Sequence, residues 1–204
     1  MATTIRTIHD DEVADFRSAL MGVFGGDADD DPGGSARFRA LIDCSQAWAA
    51  FDGKHIVATT ATFNLAMAVP GGTLPIAGLT HVTVRPTHRR RGLLRELMVC
   101  HFADAKARGF AVSGLWASEA KIYRRFGYGL AAIHDEVTIQ NAHAVNFIDG
   151  AQRDELAWID EAEARAVMPG LYDTATAQRP GVLRRTATWW QERRFLEAPF
   201  VRKG

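Results

Sequence analysis

Five arginines, Arg85, Arg89, Arg90, Arg91 and Arg95, crowd around a single glycine, Gly92, at a point where the chain turns helical. The first turn of a helix carries four amides without intrahelical partners and a partial positive charge. Gly92 removes the side chain where a pyrophosphate would approach the backbone, and guanidinium groups add charge-assisted hydrogen bonds in fork geometry. These residue types at this spacing can bind an anion, a phosphate above all. An arginine run is also the composition of a solvated basic turn, and the pattern alone leaves both readings open.

The elements that must position this turn are legible around it. Leu79, His81, Thr83 and Arg85 alternate with Thr80, Val82 and Val84 as in a strand, which Pro86 stops. After the turn, Leu93, Leu94, Leu97, Met98, Phe102 and Ala105 recur at helical spacing, Gly109 ends the helix, and residues 110–116 read as a strand parallel to the first. Upstream, residues 4–8 alternate as a short strand, and Asp10 or Asp11 can cap a helix reaching Val23 with Val13, Phe16, Leu20 and Phe24 on one side. A glycine- and aspartate-rich loop, residues 25–34, leads to a short helix capped by Ser35. Residues 47–51 and 55–69 form a hairpin at Asp52-Gly53, and a third strand follows Gly72. The spacing thus predicts an antiparallel meander that becomes parallel at the basic turn, where two neighbouring strands can diverge and admit a ligand against exposed backbone. Residues 130–140 read as a last strand. Further on, RDELAWI is strand-like, a helix over 160–168 ends at Pro169-Gly170, and a second helix carries Trp189 and Trp190. The fold class is α/β (α+β), a mixed central sheet flanked by helices with a C-terminal helical extension.

Two stretches carry a family resemblance. VTVRPTHRRRGLLR contains Arg89-Arg90-Arg91-Gly92-Leu93-Leu94, which resembles the pyrophosphate loop of the GNAT superfamily of acetyl-CoA-dependent N-acetyltransferases; ASEAKIYRRFGYG resembles that superfamily's later, tyrosine-bearing helix. Together they are similar to the Eis family of mycobacterial and related N-acetyltransferases. Leu94 departs from the glycine or alanine usual in the superfamily, as the Eis-like branch does. The resemblance covers about residues 3–140 and implies two regions, a GNAT domain over 1–141 and a mainly helical start of a second GNAT-like domain over 142–204.

That resemblance implies transfer of an acetyl group from acetyl-CoA, a cosubstrate, to an amine. Such a reaction needs a neutral amine, stabilisation of the tetrahedral oxyanion and a proton for the leaving thiolate. A phenol, protonated at neutral pH, suits the last task. Tyr123 stands at the position of the family's general acid, with Tyr128 ranked below it. Val82, Thr83 and Val84 would offer backbone groups to the pantetheine and the thioester; Arg89, Arg90, Arg91, Gly92, Leu93, Leu94 and Arg95 would hold the pyrophosphate; Ser118 and Glu119 would make a second cofactor contact, with Ser118 also a candidate helix N-cap. Asp27 and Asp29, with Asp30 and Asp31 beside them, would attract a cationic acceptor, an aminoglycoside-like polyamine or a lysine. Phe24, Phe38 and Trp48 are wall or core residues. His81, His88 and His101 lack metal-ligand spacing and receive no chemistry.

Composition closes off other classes. With 24 basic and 24 acidic residues the net charge is zero, which speaks against general attraction to nucleic acid or anionic membranes. Two cysteines, Cys44 and Cys100, are too few for a disulfide framework and lack zinc spacing. No apolar signal core opens the chain, which reads as soluble and cytoplasmic. Eis-type proteins are about twice this length and homo-oligomeric, so the alternative expectation is a truncated module that binds acetyl-CoA without turning it over. The expected acceptor is a small-molecule amine or a protein lysine.

Overall fold

The computed structural model describes residues 3–133, 137–138 and 157–195. Five strands, β1 (Thr4–Thr7), β2 (Ala47–Asp52), β3 (His55–Val69), β4 (Gly72–Val84) and β5 (Val112–Leu115), pair in sequence order. The first three pairings are antiparallel and β4–β5 is parallel. The β2–β3 hairpin closes at Asp52↔His55 around Gly53, whose φ of 60° suits the turn. The third strand expected after Gly72 and the strand expected over 79–85 are one strand, β4. Pro75, which cannot donate to a ladder, is accommodated because β5 joins β4 only from Ile76 onward.

Helices cover both faces. On one lie α1 (Val13–Val23) and α2 (Gly34–Leu41), where Val13, Phe16, Phe38 and Ile42 pack with Phe51, Ile56 and Phe63 of the sheet. On the other lies α3 (Leu93–Ala107), whose Leu93 and Leu97 bury against Ala50, Val57 and Ala58, with Trp48 and Val84 at the edge. The first helix begins later than Asp10 suggests: residues 10–12 form a 3₁₀ turn closed by a reciprocal His9–Glu12 capping box. For α2 the N-cap is Gly33, not Ser35, whose hydroxyl instead accepts from Arg17 at 3.1 Å.

One irregularity matters for function. Thr59 pairs with Thr83 and Ala61 with Thr80, so β4 takes three steps where β3 takes two. This bulge, at His81 and Val82, gives His81 a φ of 53° and breaks the simple alternation expected over residues 79–85. Thr59 Oγ1 donates to the His81 carbonyl at 2.7 Å and accepts from the Thr83 hydroxyl at 2.6 Å, pinning the bulge.

Beyond β5 come the four-residue α4 (Ala120–Tyr123), then α5 (Glu161–Thr176) and α6 (Ala187–Trp189), which continues as a π turn to Arg194. The helix expected to stop at Pro169 runs on through it. Its far half is anchored: Tyr172 Oη donates to Leu183 O at 2.7 Å, and Thr176, buried, donates to Tyr172 O. Those contacts outweigh the one backbone bond a proline removes. Residues 181–184 run beside β3, with Arg184 N donating to Ala66 O at 2.7 Å and Ala68 N to Val182 O at 2.8 Å. Trp189 reaches the sheet itself, edge-on to Phe63 with ring centroids 5.2 Å apart. Of the last strand expected over 130–140, residues 130–133 and 137–138 carry no regular structure and the others lie outside the described residues; so does most of RDELAWI. Among the described residues no helix is long and apolar enough to cross a membrane.

Candidate functional site

The site is built where β4 leaves β5. Pairing with β5 ends at Leu79↔Leu115, so from Thr80 to Val84 the β4 edge has no strand on that side among the described residues. Val82, Thr83 and Val84 lie on this stretch, beside the bulge. An extended ligand with amide groups could pair with such an edge as an additional strand would.

The basic turn follows directly. Arg90 and Gly92 both adopt left-handed backbone, with φ of 64° and 87°, the latter as N-cap of α3. A non-glycine residue held there marks strain of the kind found at ligand clamps. Among the described residues no side chain caps α3, and the first backbone bonds of the helix reach Gly92 O from Arg95 and Glu96, which leaves the Leu93 and Leu94 amides free for an anion. Among the described residues Arg91 donates to Thr87 O at 3.0 Å and Arg89 to Val84 O at 3.4 Å, and neither pairs with a carboxylate. The turn is braced from behind: His88 Nε2 lies 3.1 Å from Asp52 of the hairpin and its Nδ1 2.8 Å from Thr87 Oγ1. Arg89, Arg90, Arg91, Gly92 and Arg95 are exposed, and Leu93 is buried under them. A left-handed glycine, free helix amides and exposed arginines together fit a pyrophosphate.

Tyr123 closes α4, half-buried, its ring edge-on to Tyr128 at 5.9 Å. The two phenols differ in what holds them. Ser113 Oγ donates to Ala77 O at 3.1 Å, so it can only accept from Tyr128 Oη at 2.6 Å and from His101 Nε2 at 2.9 Å; His101 Nδ1 then accepts from Thr62 Oγ1 at 2.9 Å. Burial pushes His101 down to about 4, consistent with the neutral imidazole this chain of bonds requires. Tyr128's proton is therefore committed, and burial pushes its pKa up to about 12. Burial raises the Tyr123 phenol as well, and no hydrogen bond engages its hydroxyl among the described residues. Ser118 and Glu119 are exposed just before α4; the N-cap is Glu119, not Ser118, without a side-chain cap.

On the α1/α2 face of the sheet a cavity of about 390 Å³ opens beside the bulge, walled by Phe38, Phe63, Trp189 and His81 and edged by Arg17, Asp31, Arg37, Glu192, Arg193 and Arg194. Its size suits a small-molecule site. Asp31 is clasped by Arg17 at 3.0 Å and by Arg37. The clasp passes so close to Gly34 that a Cβ there would overlap the Arg17 guanidinium and the Asp31 carboxylate. Asp27 and Asp29 are not part of this wall: Asp27 accepts from the Asp29 amide at 3.1 Å, capping a 3₁₀ turn. Of the three aromatic candidates only Phe38 lines the cavity; Trp48 packs on the opposite face and Phe24 is exposed.

His81 is the residue that sequence reasoning passed over. Its ring stacks on Phe38 at 5.7 Å and meets Phe16 and Phe63 edge-on. Burial, and after it the charges of Arg193 and Arg17, pushes its pKa down to about 4, so the imidazole is neutral at neutral pH. Trp189 and Arg193 were equally out of reach, because their segment comes to the site only by docking on β3.

Comparison with known proteins bears on this geometry. The family described as "Acetyltransferase (GNAT) domain" matches residues 4–131. An uncharacterized N-acetyltransferase of Streptomyces griseus is 35% identical over 199 residues, covering 95% of this chain and 48% of that protein. N-acetyltransferase Eis of Mycobacterium bovis is 34% identical over 170 residues, covering 79% of this chain and 42% of Eis. The crystal structure of Eis1 from Mycobacterium abscessus superposes with a TM-score of 0.63 at 25% identity, covering 93% of this chain and 47% of that one. The chain spans about half the length of the curated relatives it matches.

Proposed function

We propose, from the premise that this chain belongs to the GNAT acetyltransferase family, that it transfers an acetyl group from acetyl-CoA directly to a primary amine, with Tyr123 as general acid. The observation that carries the reading is the bulged β4 edge, abandoned by β5 and running straight into the left-handed basic turn at Arg90 and Gly92. Acetyl-CoA supplies the activated acyl group as a thioester. The free amides of Leu93 and Leu94 with Arg89, Arg90, Arg91 and Arg95 hold the pyrophosphate, and the backbone of Val82, Thr83 and Val84 aligns the pantetheine and offers a hydrogen bond to the developing oxyanion. Ser118 and Glu119 face the cofactor from the mouth of α4.

The amine enters from the α1/α2 cavity as the neutral base and attacks the carbonyl carbon; the carbon–nitrogen bond forms, the carbon–sulfur bond breaks, and the proton that the nitrogen sheds passes to water, from which the Tyr123 phenolate is later reprotonated. The Tyr123 hydroxyl, without a hydrogen bond among the described residues and protonated at neutral pH, gives its proton to the leaving thiolate. Tyr128 cannot replace it without giving up the bond to Ser113. Asp27 and Asp29 act on the acceptor through their field outside the cavity. An aminoglycoside-like polyamine and a lysine are the acceptor classes the family carries to this chain.

The test is thiol release from acetyl-CoA with a panel of aminoglycosides, polyamines and a lysine peptide, alongside calorimetric titration of acetyl-CoA. Amine-dependent thiol release supports the reading. Tight acetyl-CoA binding without release for any amine identifies a silent cofactor-binding module, and absence of acetyl-CoA binding refutes the assignment altogether.

A further inference from the structure

The cavity has apolar walls and a charged edge in which cations outnumber carboxylates. Arg17, Arg37, Arg193 and Arg194 bring four cations against two carboxylates, Asp31 and Glu192. Asp31 is already spent on Arg17 and Arg37. Arg193 is different: it stands exposed at the cavity edge, its guanidinium sits near the rings of Phe63 and Trp189, and no carboxylate pairs with it among the described residues. Desolvation and the neighbouring Arg194 both lower its pKa.

His81 adds a second donor. Its Nδ1 is sealed from solvent without a hydrogen-bond partner among the described residues, while the ring lines the cavity wall, which leaves Nε2 as the nitrogen that can reach the open space. A neutral imidazole carries one N–H. Burying an unpaired lone pair at Nδ1 is less costly than burying an unpaired N–H, so the proton resides on Nε2 and points a donor into the cavity. Four cations against two carboxylates, one of them already clasped, with Arg193 unpaired among the described residues, suit anionic oxygen and disfavour a polycation.

We propose that the acceptor of this site is a small amine that also carries an anionic oxygen group, a carboxylate or a phosphate, held by Arg193 and by the His81 Nε2–H. The inference rests on the acetyl-transfer reading for the fate of the amine and on the cavity alone for the recognition of the acid. Arg193 and His81 are then specificity-determining residues. The acid anchors one end of the ligand while its amine is left to reach the bulge.

Calorimetric titration of the full chain with butylamine, putrescine, kanamycin, γ-aminobutyrate and phosphoethanolamine, with thiol release measured in parallel, tests this. The acid-bearing amines should bind at least about tenfold tighter than butylamine, with putrescine and kanamycin weakest; the γ-aminobutyrate and phosphoethanolamine arms tell carboxylate from phosphate. Arg193→Gln should erase that preference, Arg193→Lys should retain part of it, and His81→Phe should reduce it, each in a variant whose melting temperature shows it folded. Tighter binding of putrescine or kanamycin, equal or undetectable binding of all five, or a preference that survives in folded Arg193→Gln would overturn the proposal. Thiol release confined to the cationic amines would sink it while leaving acetyl transfer intact; binding of the acids with no thiol release would support it and count against acetyl transfer.

Discussion

Gly92→Ala isolates the backbone contribution of the basic turn. Gly92 has a φ of 87°, and a Cβ added there would meet only the Glu96 carboxylate at 3.6 Å, an ordinary contact. The penalty is therefore conformational: left-handed backbone costs an L-residue roughly 1–2 kcal/mol. If the turn keeps its shape, the protein loses that much stability; if it relaxes, acetyl-CoA binding must restore it and the dissociation constant rises by about 5–30-fold. Gly109 is the control. It has a φ of 82° with nothing near its Cβ position, at the far end of α3, about 22 Å away by helix rise. Gly109→Ala should lose stability alone. Thermal melting and calorimetric titration of acetyl-CoA on both variants read the partition. A Gly92→Ala protein that loses neither stability nor affinity, or a Gly109→Ala protein that loses affinity equally, refutes the reasoning.

Other expectations follow from the packing. Ser113→Ala takes the acceptor from the Tyr128 hydroxyl and from His101 Nε2–H, and should cost about 1–3 kcal/mol, read as a fall in melting temperature. Gly34→Ala places a Cβ on the Arg17–Asp31 clasp and should destabilise by about 1–3 kcal/mol in chemical unfolding. Arg6 holds Glu12 at a pKa of about 2, below its ordinary 4.5, chiefly through their side-chain hydrogen bond. A depressed carboxyl stabilises above its unfolded pKa and loses that contribution as pH falls through the folded one. Arg6→Gln should therefore cost about 1 kcal/mol at neutral pH, after discounting for the pair's exposure, with the gap from wild type closing toward pH 2 in urea unfolding.

How much of this was legible in the sequence depended on the range of the interaction. The Asp52-Gly53 hairpin, the meander and the α3 register follow from local turn chemistry and periodicity, and β3 falls on residues 55–69 as the pattern suggests. The bulge at His81 does not, because it exists only in the register between β3 and β4; a strand read alone shows alternation. Pro169-Gly170 reads as a helix stop, and only the anchoring of Tyr172 on Leu183 explains why α5 continues. The arginine run and Gly92 marked a candidate anion site through residue type alone. The cavity could not be announced that way, since Arg17, His81 and Arg193 are far apart in the chain. Four aspartates drew attention to the 27–31 loop, yet only Asp31 among them reaches the cavity wall, because Asp27 turns inward to cap its own loop.

Single-turnover thiol release by wild type and Tyr123→Phe, with acetyl-CoA affinity measured on both, tests the central claim most directly. The variant should lose about 10²-fold or more in rate while acetyl-CoA affinity stays within about twofold, the signature of a lost proton donor. An unchanged rate in Tyr123→Phe, or a collapse seen instead in Tyr128→Phe, would contradict it.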